Sequence, residues 1–115
     1  MVQNIKATNM ELTPAISAYV EDKLTYLIKY LNSHESSAVA NVEVGKTTDH
    51  HKHGEVYLAE INLEVTGENY YVRVEKDDLY AAIDVAKDKL VEELRRAHAR
   101  KNSLVRRGGR AIKGM

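Results

Sequence analysis

Two groups of side chains in this 115-residue chain could do chemistry. The first is basic. From Arg95 to Met115 there are eight Lys and Arg and no acid, whereas Met1 to Leu94 holds nine basic and 17 acidic residues. The formal net charge of zero therefore joins a body at −8 to an end at +8. Charge segregated this way suits a polyanionic partner, because each cation that neutralises a phosphate releases counterions and Arg can fork onto phosphate. The alternative for residues after Ser103 is a solubilising tail with no specific target. The second group is Asp49-His50-His51-Lys52-His53. These are zinc-ligand types, but residues so close on one loop seldom converge on a tetrahedral site. A polar, partly cationic turn is expected there, with no metal and no cofactor.

Other chemistries are excluded by what the chain lacks. It has no cysteine, so no disulfide, thiolate metal site or cysteine nucleophile. No Gly-rich phosphate loop, paired-carboxylate site or other plausible nucleophile is present, which argues against an enzyme. No apolar run approaches the length of a membrane span and the N-terminus does not read as a signal peptide, so a cytoplasmic protein is expected.

The elements that would position these groups follow from apolar spacing. Val2 to Ala7 half alternates and predicts a strand. Thr13 can cap a helix that Pro14 opens, and Ile16, Val20, Leu24, Leu27 and Leu31 repeat at helical spacing, predicting one helix to about Asn32. Ser33 to Ser37 reads as a loop. Ala38–Lys46 and Glu55–Thr66 alternate, Gly67-Glu68-Asn69 reads as a turn, and Tyr70, Val72 and Val74 mark a last strand. Asp77 or Asp78 can cap a second helix whose apolar stripe is Leu79, Ile83, Ala86, Leu90, Leu94 and Ala97. The expectation is an α+β two-layer sandwich in the order β-α-β-β-β-α. An antiparallel four-stranded sheet would carry both helices on one face. One domain over residues 1–101 and a mobile basic tail over 102–115 complete the reading.

Three strings carry a resemblance: MELTPAISAYVEDKL at Met10–Leu24, KTTDHHKHGEVYLAEINLEV at Lys46–Val65 and DDLYAAIDVAKDKLVEEL at Asp77–Leu94. With the element order, they make the chain similar to the ribosome hibernation-promoting factor family, also called ribosome-associated inhibitor A or sigma-54 modulation proteins. The resemblance covers residues 2 to about 101. It implies a fold similar to the double-stranded-RNA-binding domain and a site on the small ribosomal subunit. There, family members lie on ribosomal RNA where messenger RNA and transfer RNA would sit, and silence translation in starved or stationary cells. Some members continue into a second domain that pairs ribosomes, so this chain resembles the short form or an N-terminal domain.

The resemblance implies RNA contacts at Lys23 and Lys29 on the first helix and at Lys89, Arg96 and Arg100 on the second. Lys87, Arg95 and Lys101 are further candidates, and Arg106 and Arg107 could add to them from the tail. The family's matching turn is often basic, which makes His51 and Lys52 a candidate RNA-binding loop. Tyr26 and Glu92 depart from the pattern, standing where members often have a basic residue. A generic structured-RNA-binding module of the same fold is the second reading. Neither DNA nor a membrane is an expected partner.

Overall fold

The computed structural model describes residues 1–47 and 54–113, the side chains of residues 32–33 and 102–113 excepted. Strand β1 (Val2–Thr8) leads to helix α1 (Pro14–Leu24) and two 3-10 helices, Thr25–Tyr30 and Asn32–Ser37. Strands β2 (Val39–Lys46), β3 (Tyr57–Val65) and β4 (Glu68–Lys76) follow, and helix α2 (Leu79–Lys113) closes the order. The sheet order is β1-β2-β3-β4.

Alternation in the strands decides which face is buried. Ala40, Val42 and Val44 of β2, Ala59, Ile61 and Leu63 of β3, and Val72 and Val74 of β4 all point to one side and are buried. Onto them fold the stripes of α1 and its 3-10 extension (Ile16, Val20, Leu24, Leu27, Leu31) and of α2 (Leu79, Ala82, Ile83, Ala86, Leu90, Leu94), in one continuous core. The expected α+β sandwich with both helical segments on one face is therefore present. Thr13 caps α1 by accepting from the Ile16 N–H at 3.2 Å, and Asp78 caps α2 by accepting from the Ala81 N–H at 2.9 Å.

Four local expectations need correction. The first helix does not run to Asn32: α1 stops at Leu24 and the chain tightens into a 3-10 helix. Thr25 Oγ1 donates back to the Asp22 carbonyl at 2.5 Å, a bond that competes with the helical ladder. Tyr26, Ile28 and Tyr30 are middling helix formers. The stretch read as a loop, Ser33 to Ser37, falls in the second 3-10 helix. The hairpin turn is Thr66-Gly67, with Val65 paired to Glu68, so Glu68 and Asn69 already belong to β4; Gly67 takes the positive φ of +76° that the tight turn demands.

The fourth correction is topological. The sheet is mixed, because β1 pairs with β2 in parallel while the other pairs are antiparallel. A helical crossover between β1 and β2 returns the chain in the same direction, which alternation within each strand cannot reveal. The parallel pair is close: a Cβ on Gly45 would lie 2.4 Å from the Thr8 carbonyl oxygen. Helix α2 also continues as helix to Lys113, through a segment whose sequence has no apolar period.

Candidate nucleic-acid interface

The expected cations do not form one patch. On one side, α1 and α2 meet along a seam of tyrosines and lysines. The Tyr19 hydroxyl donates to Asp84 Oδ1 at 2.6 Å, and its ring stands edge-on to Tyr80 with centroids 4.7 Å apart. Lys23 Nζ lies 3.5 Å from Asp84 Oδ1 and 5.0 Å from the Tyr19 ring centroid. Tyr26 is half exposed, and its ring takes both neighbouring ammonium groups, Lys23 at 5.7 Å and Lys87 at 4.8 Å. Each such contact contributes about 0.5–1 kcal/mol at an exposed site. The hydrogen bond to Asp84, helped by burial, pushes the Tyr19 phenol up to about 12. Tyr26, where the resemblance leads one to expect a basic residue, thus gathers two of the expected cations at its ring.

On the other flank of α2 stand Lys89, Arg96 and Arg100. At 100° per residue these positions fall within about 40° of one another, and all three are exposed. Arg96 Nε lies 3.4 Å from Glu92 Oε1, which Arg95 also engages, at 2.9 Å from Oε2. Lys89 and Arg100 have no ion pair among the described residues. Lys29 sits apart, its ammonium 5.1 Å from the Tyr30 ring centroid. Lys87 contacts Asp88 at 2.5 Å, and Lys101 crosses to Glu68 of β4 at 2.5 Å. Arg106 and Arg107 lie on the backbone of α2, with side chains outside the described set. His50, His51, Lys52 and His53 lie outside the described residues, so the proposed RNA loop and the metal reading of that loop have no geometry here.

The open face of the sheet has the opposite character. Glu43, Glu60, Glu64 and Glu75 project from it, against Lys6 and Arg73. Arg73 bridges Glu60 at 3.2 Å and Glu75 at 3.0 Å, and Tyr71 donates to Glu60. The Thr8 hydroxyl, 2.9 Å away, holds the Glu43 carboxyl below its usual range despite partial desolvation, with Lys6 adding to the effect.

One further recess escaped the sequence reading. Tyr30, His34, Glu68, Tyr70, His98 and Lys101 help to line a cleft of about 240 Å³ between the 3-10 helices, the β3–β4 hairpin and α2. Tyr70 donates its hydroxyl to Glu68, and burial followed by that contact pushes its phenol up to about 12. Lys101 first, and Tyr70 second, hold the Glu68 carboxyl below its usual range. Neither His34 nor His98 belongs to any motif, and 64 positions separate them in sequence. Among the described residues no helix is long and apolar enough to cross a membrane, and no group of three His, Cys, Asp or Glu could hold a metal ion.

Comparison with known proteins covers nearly the whole chain. Residues 3–102 match the model of the sigma 54 modulation protein / S30EA ribosomal protein family. A ribosome hibernation promotion factor of Lactococcus lactis is 37% identical over 100 residues, 86% of this chain and 50% of that protein. A ribosome hibernation promoting factor of Klebsiella oxytoca is 32% identical, over 82% of this chain and 90% of its own length. The crystal structure of the N-terminal domain of Protein Y from Thermus thermophilus superimposes with a TM-score of 0.67 at 34% identity, covering 82% of this chain and 93% of that one. The chain spans about half the length of the longer curated relatives it matches.

Proposed function

Because the chain belongs to the sigma 54 modulation protein / S30EA ribosomal protein family, we propose that it is a ribosome hibernation factor that does no catalysis and acts by occupancy. It lies on ribosomal RNA of the small subunit, in the channel that messenger RNA and the transfer RNAs use, and idles ribosomes under starvation or in stationary phase. The observation that carries the reading is the polarity of α2. Its first half holds Asp84, Asp88, Glu92 and Glu93, and beyond Glu93 it holds only cations. Cations at a helix C-terminus also meet the negative end of the dipole.

Phosphate binding by this surface is an exchange of partners. A phosphate arriving at Arg96 or Arg95 replaces Glu92, whose exposed pairs contribute at most about 0.5 kcal/mol each to the fold. Among the described residues Lys89 and Arg100 have no ion pair to give up. The twelve helical residues beyond Lys101 add about 18 Å of reach and carry Arg106 and Arg107. The acidic sheet face repels the same polyanion, so the protein meets RNA helix side first. Roughly six phosphate contacts correspond to a slope of log affinity against log salt near −4 to −5.

Cosedimentation with purified small subunits tests the site. Binding should fall when messenger RNA and transfer RNA fill their sites beforehand. Undiminished binding to filled subunits would refute occupancy of that channel.

A further inference from the structure

The geometry points to a guanine-binding pocket in the cleft between the 3-10 helices, the β3–β4 hairpin and α2. Four rings border this cleft, Tyr30, His34, Tyr70 and His98, over an apolar floor that includes Leu31, Val65 and Leu94. Unstacked bases are held by rings of this kind, with polar groups reading the exposed edge.

The polar groups here are one carboxylate and one ammonium. Glu68 receives the Tyr70 hydroxyl and the Lys101 ammonium at 2.5 Å. An ionised carboxylate offers about four lone-pair sites, so about two remain for a ligand. Guanine carries two neighbouring N–H donors, on N1 and N2, beside the O6 acceptor. Adenine and cytosine present one amino group at the pairing edge, and uracil one ring N–H. A carboxylate that accepts both N1–H and N2–H, with Lys101 donating to O6, selects guanine over the other three bases. A second recess, sharing Glu68, Tyr70 and Lys101 with the first, is bounded by Arg100. A guanidinium at this edge suits the phosphate of the same nucleotide.

The shared chemistry is a guanine base, from a splayed nucleotide of structured RNA or from a free guanine nucleotide. The first source rests on the ribosome-binding reading and names one contact within it. The test uses the full chain and no ribosome, so its failure leaves the cosedimentation result standing, and the reverse holds too.

Guanosine, adenosine, cytidine and uridine monophosphates are titrated at millimolar concentration while NMR follows the imidazole signals of His34 and His98. Guanosine monophosphate should bind tightest and shift both imidazoles. Glu68→Gln, checked for folding by circular dichroism, should weaken it about tenfold or more and erase the preference, as expected for lost hydrogen bonds to a charged group. His34→Ala, at an exposed position, should weaken all four nucleotides by about fivefold or more through lost stacking. Equal binding of the four nucleotides, a preference that survives Glu68→Gln, or shifts that spare both imidazoles would overturn the pocket. An RNA hairpin with one unpaired loop guanosine, compared with its inosine counterpart lacking the N2 amino group, then assigns the source. Tighter binding than the mononucleotide, lost on inosine replacement, means structured RNA; a hairpin no better than the mononucleotide means a free guanine nucleotide.

Discussion

Removing the three cations on the outer flank of α2 should change RNA binding and leave the fold nearly intact. Lys89→Ala, Arg96→Ala and Arg100→Ala together delete three exposed charges of which only Arg96 has an ion pair among the described residues, at 3.4 Å from Glu92. That pair is worth at most about 0.5 kcal/mol, so the melting temperature should fall by no more than about 2–4 °C. Binding responds on another scale. With six phosphate contacts and a slope of roughly −4 to −5, affinity should drop about 250- to 1,000-fold between 50 and 200 mM salt; with three, only about 15- to 30-fold. The assay is small-subunit binding across that salt series beside a thermal melt of each protein. Glu92→Gln is the opposite arm: it frees Arg95 and Arg96 from their shared carboxylate and should raise affinity. A triple variant with the parental salt slope would refute the flank as a phosphate contact. Loss of stability in proportion to loss of binding would mean that these residues hold the fold instead.

Two further expectations concern the fold. The Tyr19 and Tyr70 phenols each stand at about 12, above their ordinary value of 10.0. A raised folded value means the associated stability is present below about pH 10 and is lost as pH rises through 12. Tyr19→Phe should cost about 1–2 kcal/mol near neutral pH through its lost bond to Asp84 and should shrink the alkaline loss, both read from urea unfolding at stepped pH. An unchanged alkaline limb would show that Asp84 does not hold that proton. Gly45→Ala drives a Cβ to 2.4 Å from the Thr8 carbonyl oxygen and should cost about 1–3 kcal/mol; unaltered stability in denaturant would mean that β1 and β2 are not held so close.

Much of this fold is legible along the chain because its determinants are local. Alternation placed Ala40, Val42 and Val44 inward, helical spacing found Leu79 through Leu94, and Thr13 and Asp78 were readable as caps; their burial and bonds agree. The break after Leu24 left a signal as well, in Thr25 and the aromatic and β-branched residues that follow, but an uninterrupted apolar stripe masked it. The parallel β1–β2 pair left none, since it depends on how a crossover returns. The candidate interface divides in the same way. Its cations could be named from sequence, and the local pairs of Arg95 and Arg96 with Glu92 lie within one helical turn, but other partners are distant in the chain: Lys23 meets Asp84, Lys101 meets Glu68, and Tyr26 reaches Lys87. A ring cleft assembled from residues 30, 34, 70 and 98 is legible only once the fold exists.

The place of α2 after all four strands has a consequence for synthesis. Strands β2, β3 and β4 leave the polymerising machinery with their apolar face uncovered, and α1 with its 3-10 extension shields only part of it. Leu79, Ile83, Leu90 and Leu94 complete the core, so the nascent sheet stays exposed to aggregation until these residues of α2 emerge. The cations from Arg95 onward follow the residues that seal the core. A newly made molecule thus cannot display its most basic segment before the residues that seal its core have been made.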